Sequence, residues 1–98
     1  MLEFAGFAYE LAKGLKDYLK WDEETKLVSP DWLENSGFKE EAEKNGFSLY
    51  WSNPDKVESR LLDGYEVMYE LEKLKRVRRK LILKSGAVLI GKRSNAQL

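Results

Sequence analysis

Residues 65–72, Tyr-Glu-Val-Met-Tyr-Glu-Leu-Glu, alternate aromatic or aliphatic side chains with mostly glutamates, and Lys-Leu-Lys-Arg-Val-Arg-Arg-Lys follows at once over 73–80. A period of two is the signature of a β-strand, because successive side chains leave the backbone on opposite faces. An acidic strand followed within a few residues by a basic one predicts an antiparallel hairpin whose strands neutralise each other. No other stretch limits the fold as tightly. The charge division extends over the whole chain. All seventeen acids fall within residues 1–72 beside eight Lys and Arg, whereas residues 73–98 hold nine Lys and Arg and no acid. A formal net charge of zero therefore conceals an acidic part and a basic part.

Centring the hairpin near Leu74 sets Glu72 by Arg76, Glu70 by Arg78, Met68 by Lys80, and Glu66 by Ile82 and diagonal to Lys80. Tyr65, Val67, Tyr69 and Leu71 then share one face and the glutamates the other. In the following strand, over 76–84, Val77, Arg79, Leu81 and Leu83 lie on one side. The expectation is that helices cover the face of Tyr65, Val67, Tyr69, Leu81 and Leu83, leaving a charged face in solvent. Lys73, Lys75, Arg79, Lys84, Lys92 and Arg93 are left without an acidic neighbour and form a candidate contact for an anion or a nucleic acid, with phosphates gripped by cations and bases stacked on nearby rings. Against this, the sequence pI of about 6.3 is low for such a partner. The chain also has no glycine-aromatic RNA-binding signature, no GXXG loop and no zinc-finger spacing.

The remaining elements follow from periodicity and caps. Phe4, Phe7, Ala8, Leu11, Leu15, Tyr18 and Leu19 recur at three- and four-residue intervals over 2–20, as in an amphipathic helix. Phe4, Leu11 and Tyr18 lie one heptad apart, which makes them a candidate self-association stripe. Residues 21–26 are polar and read as a connection. Ser29-Pro30 starts a short helix to Ser36, with Gly37 as its stop, and a second short helix runs over 38–45 to Gly46, with Phe38 and Ala42 buried. Phe47, Leu49 and Trp51 alternate with Ser48 and Tyr50, which predicts a strand. Asn53-Pro54-Asp55 caps a helix to Leu62 that ends at Asp63-Gly64. Strand, helix and strand suggest a βαβ unit. Ser85-Gly86 supplies a turn before a last strand over 87–92, and residues 94–98 read as a frayed tail. The stretch from Trp51 to Val67 resembles segments of small prophage or mobile-element proteins, a resemblance that brings no chemical motif with it.

Several function classes are thinned by composition. The absence of cysteine removes disulfides, thiolate metal sites and a thiol nucleophile, and the absence of histidine removes the commonest general base and metal ligand. No metal and no cofactor are expected. Glu66 and Glu70 share a strand face as an acid/base pair would, but arginines beside them favour both anions, against the needs of a general acid. Trp21, Trp32 and Trp51 read as core, with Tyr18 and Trp21 as an alternative recognition patch. Apolar runs are too short to span a bilayer, and the first ten residues lack a basic signal-peptide region, so a cytoplasmic protein is expected.

The expected architecture is a single α+β domain. An N-terminal amphipathic helix and short helices pack on one face of a β-α-β-β-β sheet over residues 47–93, which ends in an antiparallel meander. The expected function is a small non-enzymatic protein–protein interaction module. It would self-associate, or bind an acidic partner, through the N-terminal helix or the edge of the 87–92 strand. The alternative is nucleic-acid binding by the basic segment 73–93.

Overall fold

The computed structural model of the protein describes Tyr18 and residues 20–94, so the expected helix over 2–20, with Phe4 and Leu11, and the tail at 95–98 lie outside the described residues. Within them the fold is α+β, with a mixed six-stranded sheet and three helices. The strands are β1 (Asp22–Leu27), β2 (Phe47–Ser52), β3 (Tyr65–Val67), β4 (Tyr69–Glu72), β5 (Val77–Ile82) and β6 (Val88–Arg93). The helices are α1 (Pro30–Asn35), α2 (Phe38–Lys44) and α3 (Val57–Leu62), the last entered through a 3₁₀ turn at Pro54–Lys56.

The short helices begin and end where local chemistry requires. The Ser29 hydroxyl accepts from the Trp32 amide at 3.2 Å, and Pro30 occupies a first-turn position that needs no donor. Gly37 and Gly46, which close α1 and α2, take φ of 86° and 87°. Asn53 caps the 3₁₀ turn by accepting from the Asp55 amide at 2.8 Å. On the surface of these helices Lys39 approaches Glu34 at 3.9 Å.

Residues 22–27 are a strand, not a connection. β1 pairs in parallel with β5, Asp22 opposite Val77 through Leu27 opposite Ile82. Its charged sequence shows no apolar alternation, so the signal for a strand lies in its partner and not in itself. The other edge of β5 carries β4, giving the local order β1-β5-β4.

The hairpin between β4 and β5 forms, displaced by one residue from the expected register. Glu70 faces Arg79, Leu71 faces Arg78, and Glu72 faces Val77. The connection has four residues, with Arg76 donating to the Lys73 carbonyl at 3.2 Å and taking φ 56°. A left-handed conformation costs a non-glycine residue roughly 1–2 kcal/mol, so the register is held by the strands against the preference of the turn. A shift of one residue exchanges faces. Glu70, Arg79, Lys26 and Leu81 therefore share the face that also bears Met68, while Tyr69, Leu71 and Arg78 lie on the opposite one.

Both faces are consequently apolar in part, which corrects the expectation of one covered and one charged face. On the first, α1 and α2 set Leu33, Phe38 and Ala42 against Phe47, Met68, Leu81 and Leu89. On the second, Leu71 packs with Trp21, Tyr18 and Tyr69. Trp32 stacks 5.8 Å from Phe38 in the first core. The βαβ expectation needs a similar amendment. β2 and β3 run in the same direction but are not neighbours, because both pair antiparallel with β6, which lies between them. The terminal meander is also modified: β5 and β6 share a single pair, Ile82 with Val88, and each is matched to one half of the 65–72 run.

Gly91 marks the tightest point of the first core. A Cβ built there meets Met68 Cε at 3.0 Å, Met68 Sδ at 3.1 Å and Leu49 Cδ2 at 3.2 Å. Met68 is fully buried, so its side chain has to shift by a few tenths of an ångström within the core. Gly91→Ala is expected to lower the stability of the fold by about 1–3 kcal/mol through overpacking, measured by urea denaturation.

Candidate functional site

The largest concentration of chemistry-bearing side chains surrounds Glu70, where β1, β4 and β5 lie side by side. Its carboxylate is only 5% exposed and accepts from Lys26 Nζ at 3.1 and 3.2 Å. Arg79 Nη1 stands 3.7 Å from the same carboxylate. Arg79 also donates from Nη2 to Glu72 at 2.6 Å and lies 3.4 Å from Glu24 through Nε. Lys75 completes the chain of charges at 3.8 Å from Glu72. Three carboxylates are thus matched by three cations. Lys26 in addition lies 4.9 Å from the centre of the Trp32 ring, which ties the network to the helical core.

A smaller copy of this arrangement occupies the other face. Arg78 approaches Glu23 at 3.3 Å and lies 4.9 Å over the Tyr69 ring, against which Tyr18 packs edge-on at 6.5 Å. Both phenols titrate above their ordinary value, chiefly because burial disfavours the phenolate. Tyr18, expected in a self-association stripe, is thus half-buried against this chain's own sheet. The Nε1 of Trp21 and the Nε of Arg78 are buried with no hydrogen-bond partner among the described residues.

The six cations expected to lack acidic neighbours divide. Arg79 and Lys75 are paired, as above, because the register places Arg79 opposite Glu70 and diagonal to Glu72. Lys73 and Lys84 are exposed at opposite ends of β5, separated by a six-residue strand of roughly 17 Å at about 3.3 Å per residue. Lys92 lies 5.4 Å over the Tyr65 ring and Arg93 5.4 Å over Phe47, at the far end of β6. The six do not converge on one patch. A further aromatic–cation group, absent from the sequence reading, joins β2, β3 and α3: Tyr50 and Tyr65 are 6.1 Å apart, and Arg60 lies 5.1 Å over Tyr50. Only the aromatic residue at each of those positions signalled it.

The 87–92 strand expected as a free edge is interior, since β6 is flanked by β2 and β3. Among the described residues β1 and β2 stand at the two ends of the order β1-β5-β6-β2, while β3 and β4 lie off that order and pair with β6 and β5 alone. The two end strands differ in kind. β1 exposes Asp22, Glu23 and Glu24, whereas β2 reads Phe-Ser-Leu-Tyr-Trp-Ser without a charge, and its Tyr50 is 44% exposed.

Among the described residues no helix is long and apolar enough to cross a membrane, and no group of three or more acidic side chains is arranged to hold a metal. Comparison with protein-family models, with curated proteins and with solved structures returns no match.

Two consequences of the network can be measured. Glu70→Ala leaves Lys26 and Arg79 facing each other without their shared anion, and because both are partly solvated the expected loss is about 2–3 kcal/mol in denaturant titration, below the range for a fully buried pair. Glu72 gives a pH signature. The hydrogen bond from Arg79 holds its carboxyl below the ordinary value of 4.5. Its contribution is complete above about 4.5 and is lost as pH falls through the depressed value. Glu66, raised by partial desolvation, acts in the opposite direction. Glu72→Gln is therefore expected to flatten the acid side of a stability–pH curve, measured by thermal melts between pH 3 and 6; an unchanged slope contradicts the assignment.

Proposed function

We propose that this protein is a small non-enzymatic interaction module that self-associates by strand addition along the outer edge of β2. The observation that carries the reading is the contrast between the two edges. An unpaired strand edge is a template for another strand, and proteins commonly block it with charge. β1 has that protection from three exposed acids; β2 has none. Among the described residues, no strand pairs with the outer side of residues 48–52.

A second copy is the occupant this chemistry favours. Two-fold antiparallel pairing places the same strand against itself, so its charges meet their own kind. Self-pairing of β1 would crowd the three exposed acids of each copy into one short interface that holds a single lysine per strand, whereas β2 brings no charge at all. Tyr50, 44% exposed on β2, adds aromatic surface available to a partner beside the open edge.

The nucleic-acid alternative has less geometric support. Arg79 is committed to Glu70 and Glu72, and the remaining cations are spread along two strands. A catalytic reading finds its closest carboxylates, Glu70 and Glu72, already engaged by Lys26, Arg79 and Lys75.

Sedimentation velocity tests the proposal. The expected result is a concentration-dependent dimer at micromolar protein, converted to monomer by the double substitution Ser48→Lys and Tyr50→Lys with unchanged circular dichroism. A wild-type chain that stays monomeric to the highest accessible concentration refutes it.

A further inference from the structure

We infer that the cavity between the start of β1 and the β4–β5 turn is a binding site for a phosphate monoester. The cavity holds about 270 Å³ and is lined by Lys20, Trp21, Asp22, Lys75 and Arg76. Three cations and one acid give the lining a formal charge of plus two, the complement of a phosphate monoester above its second ionisation near pH 6. The volume accommodates one tetrahedral group with a small substituent, not a duplex.

Three observations meet at this place independently of its charge. Arg76 is the one described non-glycine residue with a positive φ, at 56°. The hairpin register imposes this conformation, yet the position holds arginine where glycine or asparagine would relieve it, so what arginine adds there is its side chain. The strain is locked from both sides, since the Arg76 amide donates to Lys73 and its carbonyl accepts from the Asp22 amide at 3.1 Å. Trp21 lines the cavity, is 7% exposed, and keeps a buried indole N–H without a partner among the described residues. Lys75, 72% exposed at its side chain, approaches Glu72 at 3.8 Å, a loose contact that it can exchange for a ligand oxygen. Arg76 lines the cavity as a cation that already has a further interaction in the fold, so a ligand would share it. Lys and Arg together supply a point charge and a planar fork, the usual pair for phosphate oxygens.

The site lies beside β1, at the other end of the strand order from β2, and does not depend on self-association. The test is a nitrogen–proton NMR titration of the full chain at low salt, following the Trp21 indole and the Asp22, Lys75 and Arg76 amides. Inorganic phosphate, ribose 5-phosphate and a thymidine dinucleotide diester serve as probes. Saturable shifts confined to these groups are expected for the sugar phosphate. If inorganic phosphate shifts them equally well, the site recognises the free anion; if less well, it recognises a phosphorylated metabolite. Lowering pH from 7.5 to 5.5 should weaken binding as the monoester loses its second charge, and Lys75→Gln should weaken it about tenfold.

Arg76→Gly separates binding from folding. It removes the φ strain, so the variant is expected to fold, with phosphate affinity reduced about tenfold. Retained affinity in a folded Arg76→Gly chain overturns the inference. So does saturation by the diester alone, or a shift pattern spread over all surface lysines.

Discussion

β5 is a basic strand held between two acidic ones, and the rest of the sheet is arranged around that alternation. β1 contributes Glu23 to Arg78 and Glu24 to Arg79, while β4 contributes Glu70 and Glu72 to Arg79 from the other side. Neither acidic strand can pair with the other without juxtaposing like charges, so each is restricted to an edge of β5. The charge separation along the chain is in this sense a topological instruction. It selects which strands become neighbours, although each exposed pair contributes only a fraction of a kcal/mol to about 1 kcal/mol.

The buried member of the set, Glu70, converts this loose preference into a definite register. A carboxylate that is almost fully covered is tolerated only when its partners are in place. Lys26 reaches it from β1 and Arg79 from β5, so three strands must be aligned at once. Moving β4 by one residue would exchange Glu70 for Leu71 and carry Met68 out of the first core. The strained conformation of Arg76 follows, because the turn must absorb whatever geometry this alignment leaves.

Elements marked by local chemistry were legible in the sequence. Ser29-Pro30, Gly37, Gly46 and Asn53-Pro54 punctuate the chain where the helices start or stop, and the alternations over 47–51 and 65–72 mark strands, although the second is divided at Met68 into β3 and β4. What escaped was nonlocal. Nothing in Asp-Glu-Glu-Thr-Lys-Leu distinguishes a strand from a solvated loop until β5 is beside it. The hairpin register differs from the expected one by one residue because the turn holds four residues and ends on Arg76 in a left-handed conformation, which nothing in an arginine announces. That one-residue difference brings Arg79 to Glu70 and places the glutamate on the covered face. The interior position of β6 was hidden for a related reason: β3 and β2 reach it from distant segments, and its apolar Val-Leu-Ile run fits an edge as readily as a centre.

The same charge logic decides which surface remains open. β1 must be acidic to pair with β5, and in being so it presents exposed carboxylates along the sheet's outer edge. Neutralisation inside the sheet and protection outside it are thus one property of the same six residues. β2 has no such obligation. It pairs with β6 at positions dominated by Val88, Leu89, Ile90 and Gly91, where an uncharged strand packs best, and α2 covers one face of it through Phe38 and Ala42. Selection for that packing leaves the outer edge of residues 48–52 with hydroxyl, aliphatic and aromatic groups only. An edge of that composition is stable in isolation only if another strand rarely meets it, and adding a lysine at Ser48, exposed on the opposite face, would cost the first core nothing. That so cheap a safeguard is absent at β2, in a chain that places charge so systematically at β1, is the physical argument for a strand partner there.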